Sequence, residues 1–139
     1  MERIKIDDGS KTYEIVNLDD QVIGTFTFNP SDLSIIERYD AVVASLEQYF
    51  DEMRKAGFTQ EALIAAQNAI KEKLKELVGG NAIDSFFAVC APFTPMQNGA
   101  LYLENVVNAL GEIIEKETKK RMKKVETRMD KYLKDYKKS

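Results

Sequence analysis

The chain has 139 residues, of which 44% are hydrophobic and 31% charged, and its formal net charge is −3. This length and composition are typical of one folded domain and exclude an intrinsically disordered chain. Histidine is absent and Cys90 is the only cysteine. These absences exclude Ser-His-Asp and Cys-His catalysis, the usual zinc sites within one chain, and an intrachain disulfide.

Three short β signals open the sequence, at residues 3–6, 11–16 and 21–28. The segments between them are rich in Asp, Asn and other residues that favour turns. In the third run phenylalanine alternates with threonine, which is the pattern of a half-buried strand. We therefore predict a small N-terminal antiparallel β meander of three strands.

About four helices are predicted after the meander, so the expected fold class is α+β. Asn29 is expected to cap the first helix, with Pro30 at its first helical position, and Thr59 is expected to cap the second. The third is a short apolar segment, followed by a loop that contains two prolines. The predicted helical segments are 29–57, 59–80, 81–91 and a last one from about residue 100 almost to the end.

The last predicted helix is long, basic and amphipathic. Residues 116–139 contain eleven Lys or Arg and four Asp or Glu, a net charge of +7, whereas residues 1–115 carry −10. We predict a single compact domain over 1–115 and a helical extension over 116–139. Apolar residues at helical spacing need burial that a lone projecting helix does not supply, which favours a docking or self-association surface over a solvated face. The residues concerned are Met122, Val125, Met129, Tyr132 and Tyr136.

A second candidate partner-binding surface lies around the short helix and the loop after it. Its members are Phe86, Phe87, Phe93 and Met96. Core packing of the helix and its loop is the first interpretation, because large apolar side chains are usually buried. A patch that binds a partner is the alternative.

The remaining candidate sites are better explained by local structure. The pairs Asp7-Asp8 and Asp19-Asp20 lie in predicted turns, where Asp bonds to its own backbone, and no EF-hand spacing surrounds them. Gly79-Gly80 follows a helix and lacks the lysine spacing of a phosphate-binding loop. We therefore predict no catalytic, metal-binding or cofactor-binding residues, no cofactor, and no enzymatic activity.

Two long stretches of the sequence resemble a known family. The run from Tyr13 to Asp32, YEIVNLDDQVIGTFTFNPSD, and the run IERYD from Ile36 to Asp40 resemble the tail assembly chaperones of long-tailed phages and prophages of Gram-positive bacteria. The later part is similar to that family in order: a Phe-rich short segment, a proline-containing loop ending in glycine, and an apolar helix. These segments are 82–90, 92–99 and 101–114.

The resemblance implies a non-enzymatic role in building a phage tail. Such chaperones keep the long, helical, aggregation-prone tape measure protein soluble and help to recruit tail tube subunits. The implied partners are the tape measure protein and the tail tube protein, and a homo-oligomer is expected. The N-terminus lacks the apolar core of a signal peptide, and no run approaches the roughly 20 apolar residues of a membrane span. We therefore expect a soluble protein of the bacterial cytoplasm.

Two other functions stay open at this stage. The first is nucleic-acid binding through the basic helix. Against it, the extension has only Tyr132 and Tyr136 as aromatic residues, Lys outnumbers Arg, and the rest of the chain is acidic enough to repel a phosphate backbone. Nucleic acid is therefore not the expected partner. The second is a small phage-encoded inhibitor of a host protein, which would share this size and charge.

Overall fold

The computed structural model describes the backbone of residues 1–138 and the side chains of residues 1–135. It confirms the predicted α+β class, with a two-stranded antiparallel sheet followed by four helices. The last helix is also the longest, at 37 residues. The elements are β1 (Lys11–Val16), β2 (Val22–Phe28), α1 (Leu33–Ala56), α2 (Gln60–Val78), α3 (Gly80–Phe87) and α4 (Tyr102–Lys138).

The two strands form a hairpin in which Lys11 lies opposite Phe28 and Tyr13 lies opposite Phe26. The rings of Tyr13 and Phe26 stack with their centroids 5.5 Å apart, and Phe26 and Phe28 are equally close. On the helical side, the ring of Phe26 lies 4.7 Å from that of Phe86 in α3. The alternation of phenylalanine and threonine in β2 therefore places one aromatic face against the helices.

The predicted first strand, residues 3–6, is wrong, because residues 1–10 contain no strand. The Asp7 and Asp8 carboxylates accept hydrogen bonds from the backbone N–H groups of Gly9 and Ser10, each at 2.9 Å, and these turns form just before β1. The predicted strand, residues 3–6, has only two apolar side chains, Ile4 and Ile6, and both are largely exposed. Its pairing would bury too little apolar surface to offset the entropy of ordering a third strand.

The predicted start of the first helix is also wrong by three residues. Asp32 is the N-cap, and its Oδ1 accepts a hydrogen bond from the Ser34 N–H at 3.0 Å. The Asn29 side chain instead accepts from the Ser31 N–H in a turn that precedes the helix. Thr59 caps α2 as predicted, with its Oγ1 accepting from the Ala62 N–H at 3.2 Å.

One core joins the hairpin to all four helices. Ile83 of α3 is completely buried and lies between the sheet and α2, since α3 contacts both β2 and α2. The first half of α4 contributes a stripe of buried side chains at helical spacing: Leu103, Val106, Val107, Leu110 and Ile114. We call the predicted compact domain, residues 1–115, the body. This packing fixes which face of α4 points toward the rest of the body, and therefore which face continues beyond it.

Gly111 lies where α4 approaches α1, and its missing side chain makes room for Tyr39. The Tyr39 hydroxyl donates a hydrogen bond to the Val107 carbonyl oxygen at 3.1 Å. A Cβ at position 111 would collide with that hydroxyl and would lie 2.8 Å from the Tyr39 Cζ. Alanine in a helix interior is ordinarily favoured over glycine by about 1 kcal/mol. Here the collision should outweigh that gain.

We expect Gly111→Ala to lower the free energy of unfolding by about 1–2 kcal/mol, within the range for overpacked sites. Urea unfolding followed by circular dichroism measures the change. In a Tyr39→Leu background, which removes the colliding ring, the same substitution should be neutral or stabilising. An equal loss in both backgrounds would contradict this explanation.

Candidate partner-binding surface on the last helix

The second half of α4 continues the face that its first half buries. At 3.6 residues per turn, Tyr132 lies about five full turns after Ile114 and therefore points in the same direction. Val125 is within about 20° of that direction by the same geometry. Ile114 is 5% exposed, whereas Val125 is 39% and Tyr132 69% exposed. One apolar face thus runs from the core into solvent.

Hydrogen bonds between the described side chains of α4 and the segment before α1 end at Arg121. The Arg121 Nη1 donates hydrogen bonds to the Gly9 carbonyl oxygen at 3.0 Å and to the Asn29 Oδ1 at 3.2 Å. One turn earlier, the Thr118 hydroxyl donates to the Pro30 carbonyl oxygen at 3.3 Å. Among the described side chains, those after Arg121 make no hydrogen bond or ion pair with the rest of the fold.

Glu117 strengthens this attachment through two cations. Its carboxylate lies 3.5 Å from the Lys11 Nζ and 3.3 Å from the Arg121 Nε. Burial alone would raise the pKa of the Glu117 carboxyl, but the charges and hydrogen bonds of Lys11 and Arg121 hold it below its usual value. The attachment is therefore strongest when Glu117 is ionised.

The predicted boundary between residues 115 and 116 falls inside one continuous helix, six residues before the last contact with the body. We call residues 122–138 the arm. At 1.5 Å per residue, Lys138 lies about 25 Å beyond Arg121 along the helix axis. Over its described side chains, residues 122–135, the arm gains no stability from hydrogen bonds or ion pairs to the rest of the fold in the isolated chain.

The arm exposes four of the five residues predicted for this surface. Tyr136 belongs to the residues whose side chains the structure does not describe. Leu133 was missed because the predicted series steps from Met129 to Tyr132, although Leu133 is four residues after Met129 and so also has helical spacing. The exposed fractions are 49% for Met122, 39% for Val125, 59% for Met129, 69% for Tyr132 and 52% for Leu133. We call these five residues the apolar stripe.

Cations flank the apolar stripe on one side. They line a shallow depression of about 490 Å³ whose members are Lys120, Lys123, Lys124, Thr127, Arg128 and Lys131. Arg128 also borders a second depression of about 280 Å³, formed with Val125, Met129 and Tyr132. The arm therefore offers a strip of apolar surface with positive charge along its edge, which fits an amphipathic helix better than a small molecule.

The second predicted cluster is not one surface. Phe86 is 5% exposed and belongs to the core, so a partner could contact almost none of it. Phe87 is half-buried with its ring edge toward Tyr102, and Phe93 is half-buried beside Phe50. Met96 is half-buried and shares a groove with Phe86, which Phe87 and Phe93 do not line. Core packing accounts for most of this cluster.

That groove, of about 690 Å³, lies between the end of the hairpin and α4, and the sequence reasoning missed it. Its lining contains no charged residue, and Leu18 beside it is fully exposed. The Tyr102 hydroxyl at its border donates a hydrogen bond to the Phe86 carbonyl oxygen at 2.8 Å, and burial raises the pKa of Tyr102 to about 12. In the sequence, the one signal for this groove was Leu18, an apolar residue in a turn-rich segment.

The structure also places the residues considered for metal or nucleophile chemistry. Asp7 and Asp8 bond to the backbone of the turn that contains them, and Cys90 is a half-buried free thiol. In the part of the chain that the structure describes, no three potential ligand side chains are grouped to hold a metal ion.

Comparisons of the chain with protein-family models, with curated proteins and with solved structures gave no match. None of the helices, over the described residues, is both long enough and apolar enough to cross a membrane. The observations that bear on function come from the exposed arm and from the resemblance in the sequence.

Proposed function

We propose that this chain is a non-enzymatic tail assembly chaperone of a long-tailed phage or prophage, acting in the bacterial host cytoplasm. It binds the tape measure protein and keeps it soluble while tail tube subunits assemble. The observation that carries this proposal is the apolar stripe, which continues the core-facing side of α4 into solvent on an arm anchored to the body by Arg121. The resemblance of residues 13–32 and 36–40, and of the later segments, to such chaperones supplies the identity of the partner.

The arm suits a long helical client for a physical reason. A helix of the tape measure protein that pairs its own apolar side with the stripe removes both surfaces from water. Each large side chain that becomes fully buried contributes roughly 1.5–3 kcal/mol, reduced here because the stripe is already partly covered. The acidic body stays outside the contact, and its charge opposes aggregation of the complex.

Nucleic-acid binding is the second candidate, and the depression lined by Lys120, Lys123, Lys124, Arg128 and Lys131 favours it. Its cations lie beside the stripe rather than on it. If they bind phosphates, affinity comes from the lysines and falls steeply with salt. If the stripe binds a protein helix, affinity comes from apolar burial and survives salt better.

Co-expression with a tape measure fragment from the same genome separates these two functions. We expect the wild-type chain to keep the fragment soluble and to co-elute with it at low and at high salt. Replacing Val125 and Met129 with Ser should release the fragment. The control variant replaces Lys123, Lys124 and Lys131 with Gln and should retain it, because the stripe is unchanged.

Failure of the wild-type chain to rescue the fragment, together with salt-sensitive retention of DNA or RNA, would refute the chaperone proposal. Loss of rescue in the lysine variant with rescue retained in the serine variant would place the contact on the basic side instead. Both variants change only exposed side chains, so circular dichroism should show the same fold for each.

A further inference from the structure

The body carries an apolar groove between α1 and α4 that the proposed function does not use. Its floor on the α1 side has four side chains at 4, 3 and 4 spacing: Tyr39, Val43, Leu46 and Phe50. Val107 and Asn108 of α4 form the other side, and the groove has a volume of about 250 Å³. Tyr39, Val43 and Phe50 are only half-buried in the described structure.

Carboxylates border this groove. Glu47 and Glu104 are among its lining residues. Glu104 is held in place, because its Oε2 accepts a hydrogen bond from the Leu101 N–H at 2.7 Å. Glu47 is exposed and takes part in no ion pair of the described structure. The groove is thus apolar along its floor and negative at its edge.

The arm and the groove match in length and in charge. From Tyr39 to Phe50 the groove follows about 17 Å of α1, and from Met122 to Leu133 the stripe also covers about 17 Å. The stripe has cations along one side, and the groove has carboxylates at its edge. The same complementarity holds for whole regions, since residues 116–139 carry +7 and residues 1–115 carry −10.

The arm cannot fill the groove of its own chain. Glu104 and Asn108 lie near the start of α4, whereas the stripe begins at Met122, about 21 Å further along the same continuous helix. Direct pairing of two arms is opposed by their like charges. The groove of another copy offers an apolar floor that would bury the stripe and carboxylates that would pair with the cations at its edge.

We propose that the arm of one copy docks in the α1–α4 groove of a second copy. The two surfaces are different, so the contact is heterologous. The second copy still has a free arm, which docks in the groove of a third copy. The contact therefore builds an open chain or a closed ring of copies rather than a symmetric dimer. This goes beyond the proposed function, although a tape measure helix would compete for the same stripe.

The test uses purified full-length chain with no tape measure protein, so its outcome is independent of the client. Sedimentation velocity over a wide range of concentration should show wild-type assemblies that grow with concentration. An arm variant, Val125→Ser with Met129→Ser, and a groove variant, Glu47→Lys with Asn108→Lys, should each weaken association at least about tenfold. Asn108 and Glu47 are both exposed, so the groove variant should still fold.

Mixing the two variants gives the decisive result. The groove variant has an intact arm and the arm variant has an intact groove, so the equimolar mixture should form a heterodimer that grows no further. A control with the same charge change on α2, Asn68→Lys with Glu72→Lys, should associate like the wild type. Both positions are exposed and lie outside the groove.

Three results from the wild-type chain and the two variants would overturn the proposal. They are a wild-type chain that stays monomeric, a groove variant that associates like the wild type, and a mixture of the variants that stays monomeric although each variant is folded. The second of these results would indicate that arms pair with arms. Association of the two-lysine control at the level of the groove variant would also overturn it, because net charge alone would then explain the loss.

Discussion

Ile83→Ala should lower the free energy of unfolding by about 2–5 kcal/mol, the range observed when a large buried side chain is cut to alanine. Ile83 is completely buried in α3, which contacts both β2 and α2 and so connects the sheet to the helices. The cavity left behind would loosen that connection. Because domains are stable by only about 5–15 kcal/mol, this is a large fraction of the total.

Ile64→Ala is the matched control for this prediction. Ile64 is also helical, in α2, but its side chain is 52% exposed. The same chemical change there should alter stability by no more than about 0.5 kcal/mol. Chemical denaturation of the three proteins measures the difference. Equal losses of stability at both positions would mean that α3 does not lie in the core between the sheet and α2.

Removing residues 122–139 should abolish binding of the tape measure fragment and leave the body folded. The deletion removes the whole apolar stripe, but it spares Arg121 and the hydrogen bonds to Gly9 and Asn29. The thermal midpoint should therefore change little. Co-elution measures binding, and circular dichroism measures the fold.

Removing residues 116–139 should also leave a folded body, but a less stable one. This longer deletion takes away Glu117, Thr118 and Arg121, which hold the N-terminal segment and the turn before α1. From the Arg121 hydrogen bonds we expect a loss on the order of 1.5–3 kcal/mol, the range for a hydrogen bond to a charged group. Equal thermal midpoints for the two truncations would show that these contacts contribute nothing.

Local signals in the sequence predicted the elements whose formation depends on neighbouring residues. Strand β1 matches its predicted range of 11–16, and Thr59 caps α2 as expected. The cap of α1 was misplaced because Asn29 and Asp32 both have capping side chains, and only the fold decides between them. The strand predicted at 3–6 failed for a similar reason, since its apolar side chains found no surface to cover.

The candidate surfaces also divide into those that neighbouring residues predict and those that only the fold brings together. Helical spacing alone predicted four of the five residues of the apolar stripe, because that stripe belongs to one helix. The α1–α4 groove and the groove at the end of the hairpin are formed by residues far apart in sequence, and no local pattern indicates them. Arg121 is a further case. It was counted among the basic residues of the extension, whereas its hydrogen bonds to Gly9 and Asn29 make it an anchor.

Photo-crosslinking from a single position tests the central claim most directly. A photoreactive residue at Met129 lies in the apolar stripe, and one at Lys123 lies on the far side of the same helix, among the cations. With a tape measure fragment present, we predict a covalent adduct from position 129 and little or none from position 123. An adduct from position 123 alone, or adducts to nucleic acid instead of the fragment, would contradict the account.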